Sequence, residues 1–284
     1  LVTPFKADLS LDELALRRLV RRQIEAGIHF LVPCGTTGES PTLEHDEKIR
    51  VVEIVLEEAN GIVPVLAGAG SYDTSEVIAL AREYEAMGVD GILSVTPYYN
   101  KPTQEGLYRH YKAIAEGTGK PVVVYNVPGR TGVNVEPATL ARLAQIDNIV
   151  GVKEASGNIS QMAAICARVP QDFNVLSGDD SITLPLASLG GRGVISVASN
   201  EIPAQMAALC NHLLKGEFAE ARAIHTQWLP LMDVNFVESN PIPVKAALAR
   251  MGLLEAVWRL PMCEPQPASM ARIESVLKQS GLIA

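Results

Sequence analysis

PVVVYNVPGRTGVNVEPATLARLAQIDNIVGVKE, residues 121–154, reads as one strand–helix–strand unit. Pro121–Asn126 and Ile149–Glu154 are short, valine-rich apolar runs, a length and composition suited to buried strands. Between them Glu136–Gln145 reads as a helix, with Pro137 in its first turn, where a missing N–H is tolerated. Two strands joined by a helix lie parallel, since a helical crossover returns the chain to the same end of the sheet.

The same unit recurs on both sides. Apolar runs at Leu1–Phe5, Phe30–Pro33, Pro64–Ala67, Gly91–Val95, Asn174–Ser177 and Gly193–Val197 bring the expected strands to eight. Amphipathic stretches fall between them at Asp12–Ala26, Leu43–Asn60, Thr74–Met87, Gln104–Glu116, Ile159–Val169 and Ile182–Leu189, and Pro203–Leu214 follows the last strand. Ser10 and Glu13 have the spacing of a capping box that opens the first helix, Gly27 closes it, and Gly88 closes the third. Eight alternating units predict an α/β fold of the closed (β/α)₈ TIM-barrel type; an open doubly wound sheet is the structural alternative. After Glu217 the strands stop. Phe218–Met232, Pro241–Met251 and Ala268–Gln279 read as three helices, so a small C-terminal helical domain, 217–284, is expected after a barrel of 1–216. The first apolar run stops at Pro4 and reads as half a strand, so several residues are expected before Leu1.

Bulk properties narrow the function. Of 284 residues, 48% are hydrophobic and 20% charged, as in ordinary globular proteins. The net charge of −8 lacks the basic footprint that DNA or RNA binding needs, so no nucleic-acid partner is expected. No apolar run approaches the roughly 18 residues of a membrane helix, and the first residues lack the charged region and cleavage site of a signal peptide. Cys34, Cys166, Cys210 and Cys263 form no C-x-x-C pair and hold no metal-ligand spacing to a histidine. No metal site and a reducing, cytoplasmic setting are therefore expected.

Lys153 carries the strongest chemical signal. Period-two alternation puts Gly151 and Lys153 on one face and Val150 and Val152 on the other. If the valines meet the helices, the lysine points inward at the C-terminal end of its strand, where barrel active sites sit. Desolvation disfavours an ammonium, and a neutral amine can form an imine with a ketone. The competing reading is a lysine snorkelling from a strand end or paired with Glu154. Tyr125 ends the preceding strand and could pass protons to and from such an imine, or be a core tyrosine with a satisfied hydroxyl.

The loops add polar groups. Gly35-Thr36-Thr37-Gly38-Glu39-Ser40 offers amides and hydroxyls suited to a carboxylate, and no Gly-Lys-Ser/Thr follows to make it a P-loop. Thr96–Pro102 presents the pair Tyr98 and Tyr99. Asn126–Gly132 sets Arg130 where it could grip a carboxylate, or only form a loop salt bridge.

These segments occur in order with Lys153–Gly157, Ser177-Gly178-Asp179-Asp180 and Phe236–Lys245. Together they resemble the dihydrodipicolinate (4-hydroxy-tetrahydrodipicolinate) synthase family, within the Schiff-base aldolase superfamily that includes N-acetylneuraminate lyase. The resemblance runs over essentially the whole chain. It implies a lyase of lysine and diaminopimelate biosynthesis that joins pyruvate to aspartate 4-semialdehyde through a Lys153 imine, with no organic cofactor. Tyr125, Thr36 and Tyr99 would relay protons, Tyr99 from a neighbouring subunit of a homotetramer built as a dimer of dimers. Thr37 would hold the pyruvate carboxylate and Arg130 that of the semialdehyde, while Gly178 and Ile195 line the site through backbone groups. Arg130 separates this reading from a runner-up, an aldolase for a sugar-derived 2-oxo acid of N-acetylneuraminate or 2-keto-3-deoxygluconate type. A barrel that binds 2-oxo acids without turning them over is the reading from another class. In lysine-regulated members an effector sits at positions matching Ser40, Pro41, His45, Lys48, Tyr72, Glu76 and Tyr98. Here Lys48 and Tyr72 depart from the pattern, so weak feedback by lysine is expected.

Overall fold

The computed structural model describes residues Leu1 to Ala284. The chain packs as two units, one of Leu66–Ile195 and one of Leu1–Val65 with Ser196–Ala284.

The first unit is a six-stranded parallel sheet: β1 (Leu66–Gly68), β2 (Gly91–Val95), β3 (Val122–Asn126), β4 (Ile149–Glu154), β5 (Asn174–Ser177) and β6 (Gly193–Val194). Strand order follows sequence order without a reversal. A doubly wound sheet requires a reversal at its switch point, so that alternative is excluded. Val122, Val124, Val152 and Val175 turn to one face, where they pack with Leu107, Tyr111, Ile114, Leu140, Leu143, Met162 and Ile165 from the covering helices. Each such burial contributes on the order of 1.5–3 kcal/mol before entropy is charged against it. Val123, Tyr125, Gly151 and Lys153 alternate with these residues and face the other way.

Most helices fall where expected. Thr74–Met87 has Asp73 as N-cap and Gly88 as its left-handed C-cap, and Pro203–Leu214 also keeps its expected bounds. The three late helices are Phe218–Val234, Ile242–Arg250 and Pro267–Gln279. The first helix is Glu13–Glu25, and its cap corrects the sequence reading. Asp12, not Ser10, accepts from the Ala15 N–H, because Ser10 gives its hydroxyl to Asp8 in the preceding turn. The capping box occurs instead at the second helix, His45–Ala59, between Glu44 and Glu47.

Two expected strands do not form ladders. Phe5 pairs in a single antiparallel bridge with Leu11, the Val2 N–H goes to the Asn200 side chain, and Pro4 has no N–H to offer. Leu31 makes one parallel bridge, to Val65, before Pro33 removes the next donor. The last expected strand is shorter than read, since Val197 already has helical backbone angles and opens a 3₁₀ turn at Ala198–Asn200. No helix is long and apolar enough to cross a membrane.

Candidate active site

Strands β3 and β4 are in register with Tyr125 beside Lys153 and Asn126 beside Glu154. Adjacent parallel strands in register place like-facing side chains side by side. The Lys153 ammonium lies 4.3 Å from the centroid of the Tyr125 ring. Lys153 is 8% exposed and makes no ion pair. The pairing with Glu154 does not occur. Glu154 points to the opposite face, where its carboxylate accepts from the Asn126 amide at 2.9 Å, the Ser156 N–H at 2.9 Å and the Gln161 amide at 3.4 Å. Burial still pushes the Glu154 carboxyl above its ordinary range, against the pull of these bonds.

That polar cluster ties the strand ends to the following loop. Asn126 also donates to Asn134 and accepts from the Val135 N–H, and Asn134 exchanges two bonds with Gln161. Held between these anchors, the segment after β3 is not the open loop expected. Pro128–Thr131 forms one helical turn, with proline at its start and Gly132 in the left-handed region at its end. Thr131 fixes the turn with its single hydroxyl hydrogen, shared between Val127 O and Val133 O, while accepting from Thr96 just after β2. Arg130 is exposed on this turn.

Gly178 and Ile195 continue the same rim. The Gly178 N–H donates to Glu154 O, and the Ile195 N–H to Ser177 O. A Cβ at Gly178 would lie 3.2 Å from Lys153 Cε and 2.6 Å from Ala155 Cβ. Glycine is thus the residue that lets the lysine side chain pass, a requirement the sequence reading did not recognise.

The loop with the paired tyrosines divides their roles. Tyr98 is half-buried, with its ring edge-on to Tyr72 at 5.4 Å; burial and the neighbouring Tyr72 and Glu76 push its phenol up. Glu76 accepts from the Ser71 hydroxyl. Tyr99 is 89% exposed, with a left-handed φ of 67°. So Tyr72, Glu76 and Tyr98 are brought together, while Tyr99 points away from its own unit's core.

In the other unit, Thr36–Gly38 and Ser40–Thr42 are two short 3₁₀ turns rather than a plain loop. Thr36 and Thr37 are half-exposed, and Thr37 Oγ1 accepts from the Asn240 amide at 3.0 Å. Ser40 and Lys48 are half-exposed, and His45 is exposed at the start of its helix. Asn240 is a contact the sequence reading missed. Its signal was available in the segment Phe236–Lys245, where an amide opens, and a lysine falls within, the run 240–248 that packs as core. No three His, Cys, Asp or Glu side chains converge as metal ligands, and no disulfide joins any of the four cysteines.

This arrangement, a buried amine without a counter-ion beside a phenol, with an exposed arginine near the strand ends, suits imine chemistry on an acid substrate. The comparisons agree. Residues 1–280 match the model of the dihydrodipicolinate synthetase family. The 4-hydroxy-tetrahydrodipicolinate synthase of Koribacter versatilis is 54% identical over 284 residues, spanning 100% of this chain and 95% of the relative. Among solved structures, dihydrodipicolinate synthase from Thermotoga maritima is 48% identical with a TM-score of 0.97, covering 100% of this chain and 97% of that one. The chloride-inhibited dihydrodipicolinate synthase from Acinetobacter baumannii complexed with pyruvate is 41% identical with a TM-score of 0.98, at 100% and 97% coverage. On sequence, fold and coverage alike, the chain belongs to the dihydrodipicolinate synthetase family.

Proposed function

We propose that this lyase condenses pyruvate with L-aspartate 4-semialdehyde to 4-hydroxy-tetrahydrodipicolinate, the entry to diaminopimelate and lysine, through an imine on Lys153. The observation that carries the residue assignment is a buried lysine with no carboxylate partner, side by side with Tyr125.

The Lys153 amine adds to the ketone carbon of pyruvate, and the carbonyl oxygen leaves as water. Loss of a methyl proton gives the enamine, whose carbon bonds to the aldehyde carbon of the second substrate. The amine of that substrate then closes on the imine carbon and displaces Lys153. Each step moves a proton, and Tyr125, Thr36 and Tyr99 are assigned to that task. Thr37 receives the pyruvate carboxylate. Arg130 receives that of the semialdehyde, to which a guanidinium can donate twice. Gly178 and Ile195 present backbone groups. No organic cofactor is required.

The assembly belongs to the same reading. Consecutive parallel strands support a closed (β/α)₈ barrel over 1–216, followed by a three-helix domain over 217–284. A tyrosine 89% exposed and held in a left-handed backbone suits a residue lent to a second copy, so Tyr99 completes the partner's site in a homotetramer of tight dimers. The protein works in the cytoplasm. Of the effector positions Ser40, Pro41, His45, Lys48, Tyr72, Glu76 and Tyr98, Lys48 adds a cation and Tyr72 fills space against Tyr98, so lysine inhibits weakly.

The test is a product assay with pyruvate and aspartate semialdehyde, run beside N-acetylneuraminate and 2-keto-3-deoxygluconate, with borohydride trapping of pyruvate and mass mapping. Turnover of the first pair and an adduct on Lys153 are expected. Preferred cleavage of either sugar acid would move the assignment to the aldolase class.

A further inference from the structure

The segment Phe236–Lys245 has no role in the chemistry above, yet two of its side chains grip the Gly35–Ser40 loop. The Asn240 amide donates to Thr37 Oγ1 at 3.0 Å. Two residues further along the loop, the Lys245 ammonium donates to Glu39 Oε1 at 2.5 Å, with both side chains buried. The Arg259 backbone N–H donates to Glu39 Oε2 at 3.3 Å. Between these grips the Thr3 hydroxyl donates to Gly38 O at 2.7 Å, and a Cβ at Gly38 would stand 3.3 Å from both Leu1 O and Thr3 Oγ1. Three successive residues, Thr37, Gly38 and Glu39, are therefore each tied to a different part of the chain.

Glu39 pays a conformational penalty to be there. Its backbone lies at φ 53° and ψ 33°, the left-handed region that a glutamate seldom adopts. The buried carboxylate, held by an ammonium and an amide, is what keeps the residue in that state. The turn it closes carries the Glu39 N–H to Thr36 O and the Gly38 N–H to Gly35 O. The direction of the Thr36 and Thr37 side chains thus depends on a side chain turned away from them.

Asn240 acts on the hydroxyl itself. An amide N–H directed at Thr37 Oγ1 occupies one of its lone pairs, which leaves the hydroxyl hydrogen to be donated elsewhere. A hydroxyl so oriented is a donor ready for an anion, and a bond to a carboxylate weakens steeply when the donor is misaligned.

We propose that Asn240, with the buried Glu39–Lys245 pair, forms a positioning device that aims the Thr37 hydroxyl as a donor to the carboxylate of the 2-oxo acid. It rests on the functional reading above. It adds residues that touch no substrate but set the affinity for pyruvate apart from that for the second substrate.

The experiment measures the pyruvate concentration at half-maximal borohydride trapping on Lys153, the KM for each substrate, and the midpoint of urea unfolding. Two variants are used. Asn240→Ala removes the amide. The double variant Glu39→Gln with Lys245→Met removes both charges together, because removing one would leave the other buried and unpaired and could unfold the protein. In each, the pyruvate midpoint and pyruvate KM should rise by about 10-fold, as for one charge-assisted hydrogen bond, with the semialdehyde KM unchanged. Folded variants with a wild-type pyruvate midpoint would overturn the proposal. So would an equal rise in both KM values, which is what a general loosening of the fold predicts. Absence of any adduct in the wild-type protein would overturn the functional reading itself, and the proposal with it.

Discussion

Two lysines in this protein are buried, and each holds its ammonium 4.3 Å from the centroid of an aromatic ring, Lys153 over Tyr125 and Lys245 over Phe5. They differ in one respect. Lys245 is fully buried with the Glu39 carboxylate at 2.5 Å, whereas Lys153 is 8% exposed and has no carboxylate partner. At Lys245 desolvation pulls the pKa below the ordinary lysine value, and Glu39 works against that pull. A paired ammonium spends its protons on its partner and offers no lone pair. Burial and an aromatic neighbour are common to both lysines; what separates them is the counter-ion that only Lys245 has. The chain keeps Lys153 without one by turning Glu154, the nearest carboxylate in sequence, to the opposite face of β4.

The largest effect should come from orphaning a charge. Lys245→Met leaves the Glu39 carboxylate buried without its cation and should cost about 3–5 kcal/mol in urea unfolding. A cost below about 1 kcal/mol would mean that Lys245 is no more integral than a surface lysine, and the contrast would fail.

Lys153→Arg should lower kcat/KM by at least about 100-fold, or roughly 2.7 kcal/mol, since a guanidinium keeps the charge but is a poor imine former. Pyruvate and borohydride should no longer add mass to the variant. An adduct that persists and maps to Lys245 would exchange the roles of the two lysines.

Lys153→Met sharpens the comparison from the side of stability. With no partner to orphan and a side chain of similar length, the change should alter the unfolding free energy by no more than about 1 kcal/mol, in the stabilising direction. A loss as large as that at Lys245 would reveal an ionic partner for Lys153.

The smallest effect is a slope with pH. Burial raises the Glu154 carboxyl above 4.5 in the folded protein. A carboxyl raised on folding contributes stability that is fully present below its unfolded value and is lost as pH rises through its folded value. Glu154→Gln does not titrate, so its unfolding free energy should gain on the wild type as pH climbs from about 4.5 towards neutrality. At each pH the variant should trap pyruvate on Lys153 as well as the wild type does. A difference in trapping between variant and wild type that follows the change in stability would couple Glu154 to the amine after all.

The sequence made the strand ends legible because alternation is local. Val122, Val124 and Val152 declare one face, so Tyr125 and Lys153 are committed to the other before any packing is known. The Thr74–Met87 helix was legible for a similar reason, with Asp73 and Gly88 marking its two ends. Where apolar content was the only cue, the reading overreached. Leu1–Phe5 and Phe30–Pro33 have the composition of strands, but prolines at 4 and 33 interrupt the run of donors and each run makes only a single bridge. The first cap was misplaced because Ser10, Asp8 and Asp12 compete for the same few N–H groups, and spacing does not say which wins.

By itself, then, the sequence determined the parallel α/β character, the side-by-side Tyr125 and Lys153, and the family. All of these follow from residue types repeated at short, regular intervals or in a fixed order. Only the tertiary structure decided which buried lysine is left unpaired. The Lys245–Glu39 contact spans 206 positions and the Asn240–Thr37 contact 203, and no periodicity reaches that far. The clearance that Gly178 gives the Lys153 side chain is likewise a matter of two neighbouring strands in register. Charge pairing in a protein interior is chosen by what the packed chain brings within a few ångströms. The same residue type is therefore locked in a buried ion pair at position 245 and left without a carboxylate partner at position 153.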